Sequence, residues 1–398
     1  MSVDPDLIQR SGELKAQLVR FVQQPRFDRA WDGVVAEHIV SLGGSDAELI
    51  NLFDAFLLQH RLPDGRTVVD HFIRAHRELP ERERAMLLGW RDPVEGLFEV
   101  GPRDGATLLM VNLVDEMTYR VHSNLGPAGL APLRRGGFAV ARLVPIEGEW
   151  LVSGALATFP KSARRQVLQT AAHVAHEHPK AVFRNPDKLA RAWEIQDAQR
   201  QRFIEFFGSD FVVLTGSEVG DRMTEFLRWQ NDSLVRARRA RADGPTMPPA
   251  PEFHVPGHVR DSDRIALIED QVEGLNFFTD FGWVEAAYDD PRHVSNPVCR
   301  DALLGYLRDD SVSPLVFRRL AARDPERASE VFRALLRRPA FSWERHGEKL
   351  LRKHKRRHFE REPIPWVVPL SDVQTAHFRP NVGDDSAEPS QLPIPELV

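Results

Sequence analysis

The residues best suited to chemistry fall into three groups. The first is His254-Val255-Pro256-Gly257-His258, followed by Asp261, Asp263, Glu269 and Asp270. Imidazoles and carboxylates together suit a divalent ion, or a general base beside a general acid. Glu269 and Asp270 close an apolar run, residues 264–269 (RIALIE), that reads as a strand. Strand ends are where α/β proteins commonly place functional groups. An enzyme reading therefore expects a metal-assisted hydrolase or nuclease-like activity in residues 254–270. Glu269 and Asp270 are its catalytic candidates, and His254 and His258 its metal candidates. A divalent metal here is the one cofactor this pattern suggests. The carboxylates that follow, Glu273, Asp280 and Glu285, sit among aromatic residues that read equally well as core.

The second group is a basic run near the end of the chain. Residues 345–358 hold seven Lys or Arg in fourteen positions. Arg352, Lys353, Lys355 and Arg356 are its binding candidates, because such runs contact phosphates without reading bases. The competing reading is a solvated or partner-facing helix. Arg236, Arg238, Arg239 and Arg241 form a smaller run.

The third group is isolated residues. His173 and His176 are three apart and share a helical face, but the spacing is not HExxH, and with His178 they read as surface or capping histidines. Glu177 reads as pointing away from them. Ser217 reads as the N-cap of the helix after a short strand, and Cys299 as a buried thiol with no activating neighbour. The chain contains neither a nucleophile elbow nor a phosphate-binding Walker loop.

The elements that must position these groups change character along the chain. Of 398 residues, 42% are apolar and 28% charged, the net charge is -5, and there is a single cysteine. That composition supports at least one real core and excludes a disulfide framework or a cysteine-rich metal site. It predicts no membrane association and a cytoplasmic location, since the start carries no signal-like apolar segment and no run is long enough to span a bilayer.

Residues 5–40, 45–57, 68–77 and 81–88 have helical periodicity, with a break at Pro25, a stop at Gly43-Gly44 and caps expected at Ser45 and Thr67. Residues 94–159 then show five short apolar runs separated by Gly, Pro, Asp and Asn, the pattern of a small closed sheet. Helices resume at 163–178 and 185–207. Residues 210–215 and 264–269, each with a helix after it, are expected as adjacent parallel strands. Residues 242–259 read as a Pro-rich loop. More helices are expected at 298–308, 314–322, 325–337 and 346–358, and the Pro-rich end as a low-regularity tail.

The expected fold class is α+β and multidomain: a helical domain at 1–92, a small five-stranded SH3-like or OB-like β-barrel at 93–160, a helical α/β domain with a short sheet at 161–360, and a tail at 361–398. The leading functional expectation is a non-catalytic binding or regulatory protein with a protein or nucleic-acid partner. The metal-assisted enzyme is its rival. A structural or assembly protein that forms homo-oligomers is the third reading.

Overall fold

The computed structural model describes residues 3–38, 46–240 and 252–377. The expected stop at Gly43-Gly44, the cap at Ser45, most of the loop at 242–259 and the final stretch of the tail lie outside the described residues. The chain forms two compact units. One runs to Leu189 and includes the segment from Val368, and the other is Ala190–Val367. Among the described residues no helix is long and apolar enough to cross a membrane.

The first unit opens with α1 (Pro5–Val22), α2 (Asp28–His38), α3 (Asp46–Leu58), α4 (Val68–Ala75) and α5 (Glu81–Gly89). Leu7, Leu14, Leu18 and Phe21 recur at helical spacing on α1, and all are buried. Thr67 caps α4 in a capping box with Asp70, as its position predicts. Five strands follow: β1 (Val94–Asp104), β2 (Thr107–Asn112), β3 (Thr118–His122), β4 (Phe138–Ile146) and β5 (Glu149–Phe159). They pair in the order β1-β2-β3-β5-β4, and β4 pairs back to β1, so the sheet closes on itself. Every pairing is antiparallel except β3 with β5, where Val121 meets Trp150. Glu147 and Gly148 both have positive φ, which makes the tight two-residue turn that joins β4 to β5.

One core joins helices to sheet. Val144, Ile146 and Leu151 pack with Leu14, Phe56, Phe72 and Trp90 from the helical segment. A second core sets α6 (Arg164–Glu177) and α7 (Pro179–Val182) against Leu97, Phe138 and Val140. The compact division therefore falls at Leu189, not at the residue-160 boundary expected from the sequence, because α6 has its apolar stripe on the sheet. The segment from Val368 also returns to this unit. Gln374 donates Nε2 to the carbonyls of Leu113 and Val114 at 2.7 and 3.2 Å.

The second unit contains most of α8 (Pro186–Phe207), then β6 (Phe211–Leu214), α9 (Gly216–Ala240), α10 (Gly257–Arg260), β7 (Ile265–Asp270) and β8 (Gly274–Phe278). It continues with α11 (Phe281–Asp289), α12 (Pro297–Arg308), α13 (Leu315–Arg323), α14 (Pro325–Leu336), α15 (Trp343–His354) and α16 (Arg356–Glu360). The sheet order is β6-β7-β8, with β6 and β7 antiparallel. This corrects the expected parallel pair. A single helix between two strands would deliver them parallel. Here the chain after α9 doubles back along it, with Phe253 N–H on Thr224 Oγ1 at 3.0 Å and Gly216 N–H on the Ser262 carbonyl at 3.0 Å. That return leg starts β7 where β6 ends, and Leu214 faces Ile265.

Candidate functional site

α14 ends at Leu336, where Arg337 takes the left-handed conformation with φ of 53°. The turned chain is pinned by Phe341, which is buried and accepts Arg333 Nε on its carbonyl at 2.8 Å. α15 then runs back beside it. Between them lies a cleft of about 720 Å³. Leu336, Pro339, Ala340, Phe341 and Leu350 line its apolar part, and Arg337, Arg338, His346, Lys349, Lys353 and His354 supply the polar part. Among the described residues no carboxylate lines it. Lys349 and Lys353 are four apart on α15 and so present their ammonium groups along one face. Burial, then the neighbouring cations Lys353, Arg308 and Lys355, hold the His354 imidazole below its ordinary value.

The four binding candidates of the basic run separate in space. Lys353 lines the cleft. Arg352 is exposed, with its guanidinium carbon 4.6 Å from the Phe359 ring centroid. Arg356 is exposed and paired with Glu360 at 2.5 Å. Lys355 is fully buried, with its ammonium on the Asp309 carbonyl, and so it is not part of a phosphate-facing row. The helix expected over 346–358 is in fact two helices that break at Lys355. Arg337 and Arg338 lie outside the basic run that the sequence singles out. Their signal was a basic pair at a helix end immediately before Pro339. In the smaller basic run Arg236 is hydrogen-bonded to Ser233 at 3.1 Å, and the side chains of Arg238 and Arg239 and all of Arg241 lie outside the described residues.

Glu269 and Asp270 do not converge. Neighbouring strand residues project to opposite faces, and on β7 Ile265 and Leu267 join one core while Ala266 and Ile268 join another. Glu269 follows the first pair toward α8. It is buried, its Oε1 has no hydrogen-bond partner among the described residues, and burial raises its carboxyl to about 7 against the partial relief of Arg200. Arg200 itself is held by Asp210 at 2.6 Å, and Arg319 also pairs with Asp210. Asp270 closes the β7–β8 turn, its Oδ1 accepting the Val272 and Glu273 N–H groups at 2.9 and 3.1 Å.

His254 is exposed and lines a different, polar cleft of about 500 Å³ with Ser217, Asp221, Glu225, Glu252 and Arg260. Glu269 and Asp270 are not among its lining residues. The His258 side chain lies outside the described residues. Among the described residues no three His, Cys, Asp or Glu side chains gather as metal ligands would. Thr215, not Ser217, precedes the first residue of α9, and its N–H donates to Glu218 at 3.0 Å, one half of a capping box. Ser217 falls inside the first turn. His173 pairs with Glu177 at 3.1 Å, so this carboxylate faces the histidine after all, four residues along one helical face. Cys299 is buried against the Trp283 carbonyl, and burial pushes its thiol up.

Comparison with known proteins yields no matching family model, no matching curated protein and no matching solved structure.

Proposed function

We propose that the protein is a non-catalytic binding protein that holds the phosphate backbone of a nucleic acid in the cleft between residues 336–341 and α15. One observation carries this reading: Arg337, Arg338, Lys349 and Lys353 converge on a cleft that no carboxylate among the described residues lines. None of the four has an ion-pair partner among the described residues, whereas Arg318, Arg333 and Arg356 close by are each paired. Unneutralised cations on a shared surface favour a polyanion, and the apolar floor offers a place for a base or sugar.

The first unit bears on the reading by fold analogy alone. Its ring order, with β3 and β5 parallel, supports an OB-like barrel over an SH3-like one, and OB-like barrels use the β2–β3 face and the β1–β2 and β4–β5 loops for oligonucleotides. Here Asp104, the last residue of β1, and Glu147, in the β4–β5 loop, are already paired with Arg120 and Arg82. The charge favours the cleft in the second unit as the point of contact.

The test is fluorescence anisotropy with labelled single-stranded and duplex oligonucleotides at several salt concentrations. Binding that weakens steeply with salt is the expected result. No binding at 50 mM salt, or binding indifferent to salt, would overturn the reading. Capture of an acidic peptide with no response to either oligonucleotide would replace it with a protein partner.

A further inference from the structure

A column of aromatic rings leads from the core of the second unit into the basic cleft. Phe332 is fully buried, and its ring centroid lies 5.8 Å from that of Phe341 with 25° between the planes. Phe341 is 5% exposed, and its ring centroid lies 5.4 Å from that of the His346 imidazole, with 36° between the planes. His346 is exposed and lines the cleft beside Leu336, Pro339, Ala340 and Leu350. Phe341 supports one side of the imidazole, so the column ends in a ring whose other side is open to a ligand in the cleft. The imidazole is also held at one edge, with Nδ1 3.0 Å from both the backbone nitrogen and the carbonyl oxygen of Ser342. A ring already fixed by its neighbours loses little freedom when something packs on it.

Phosphate contacts by themselves need only the cations, Arg337, Arg338, Lys349 and Lys353, and these serve a duplex and a single strand alike. A duplex keeps its bases paired and stacked inside, so the rest of the cleft would meet nothing but sugar and phosphate. A cationic groove that also carries an apolar wall and an aromatic ring suits a single strand, whose backbone follows the charges and whose base faces pack on the ring. Resting on the nucleic-acid reading of this cleft, we infer that it takes an unpaired strand, with one base against the His346 ring and the apolar wall and the flanking phosphates on the four cations. Its volume of about 720 Å³ falls within the range of about 300–1,000 Å³ that holds one small ligand, which is room for a nucleotide and not for a duplex.

The experiment is fluorescence anisotropy of the full chain at about 50 and 200 mM salt. The probes are oligothymidylate, an abasic strand with the same phosphates, oligouridylate and a duplex, all of equal length. Oligothymidylate is expected to bind about tenfold tighter than either the abasic strand or the duplex. His346→Ala should weaken oligothymidylate by about fivefold or more and leave the salt slope unchanged, because no phosphate contact is lost. His346→Phe keeps a ring and should stay within about twofold of the wild type. Both variants lose the Nδ1 contact with Ser342, so their difference reports the ring alone, and circular dichroism checks that both fold. Oligouridylate tighter than oligothymidylate would identify RNA as the source of the strand, and the reverse DNA; either supports the inference when the abasic strand is weaker than both. An abasic strand or a duplex that binds as tightly as oligothymidylate would overturn the inference and leave the phosphate contacts standing. Equal losses from the two His346 variants would do the same. No binding of any probe at the lower salt would overturn the nucleic-acid reading and this inference together.

Discussion

The Lys355 ammonium donates to the carbonyl oxygen of Asp309, which seals the middle of the most basic run in the chain inside the protein. Burial lowers its pKa to about 8, against the opposing pull of Asp309 and Asp310. The ammonium is thus less favourable folded than unfolded. The stability tied to the neutral amine is complete above the unfolded value and is lost as pH falls through about 8. Wild type should gain stability between pH 8 and 10, by at most about 3 kcal/mol. Lys355→Met should flatten that rise in urea unfolding while leaving oligonucleotide affinity within about twofold. A variant with the wild-type pH response would refute the buried-ammonium account.

Lys353 and Arg356 stand three residues apart with opposite expectations. Lys353 is in the cleft without an ion-pair partner among the described residues, and Arg356 is paired with Glu360. Lys349→Glu with Lys353→Glu should lower oligonucleotide affinity at least tenfold and reduce the salt slope by about 2, as for two phosphate contacts. Arg356→Glu should change affinity less than threefold. Equal losses from both would mean that net charge, not the cleft, governs binding.

Glu269 makes the second pH prediction, with the opposite sign. Its carboxyl is raised to about 7 by burial, so the folded state favours the proton. That contribution is complete below the unfolded value and is lost as pH rises through about 7. Glu269→Gln should keep wild-type stability near pH 5 and exceed it at pH 8 by about 1–3 kcal/mol, read as the difference between urea midpoints. If the variant retains the wild-type slope between these values, another group is responsible.

Gly154 interrupts β5 with a φ of +71°, and a Cβ there would lie 2.4 Å from Asn51 Oδ1. That oxygen accepts the Ala155 N–H at 2.7 Å, one of the contacts that tie α3 to the sheet. Gly65 has a similar φ of +79° but nothing within 4 Å of its would-be Cβ. Gly65→Ala reports backbone strain alone, at about 1 kcal/mol. Gly154→Ala should cost about 1–2 kcal/mol more, because Asn51 must also give way. Equal unfolding midpoints for the two variants would show that Asn51 yields freely.

Much of the local structure was legible in the sequence because local rules dictate it. The apolar spacing of Leu7, Leu14 and Leu18, the Thr67 cap, the break at Pro25 and the strand–turn alternation of residues 94–159 depend on residues a few positions apart. What the tertiary structure decided depends on partners far along the chain. The return leg along α9 set β6 and β7 antiparallel, which no period in either strand encodes. The parity of β7 parted Glu269 from Asp270. A carbonyl forty-six residues away drew Lys355 inward from a run of charges that reads as uniform. The cleft cations Arg337 and Lys353 belong to different helical segments, and only the left-handed bend at Arg337 brings them to one surface. Sequence records each side chain's chemistry and its near neighbours. Which charges face solvent, which are buried, and which share a cleft is set by packing at long range.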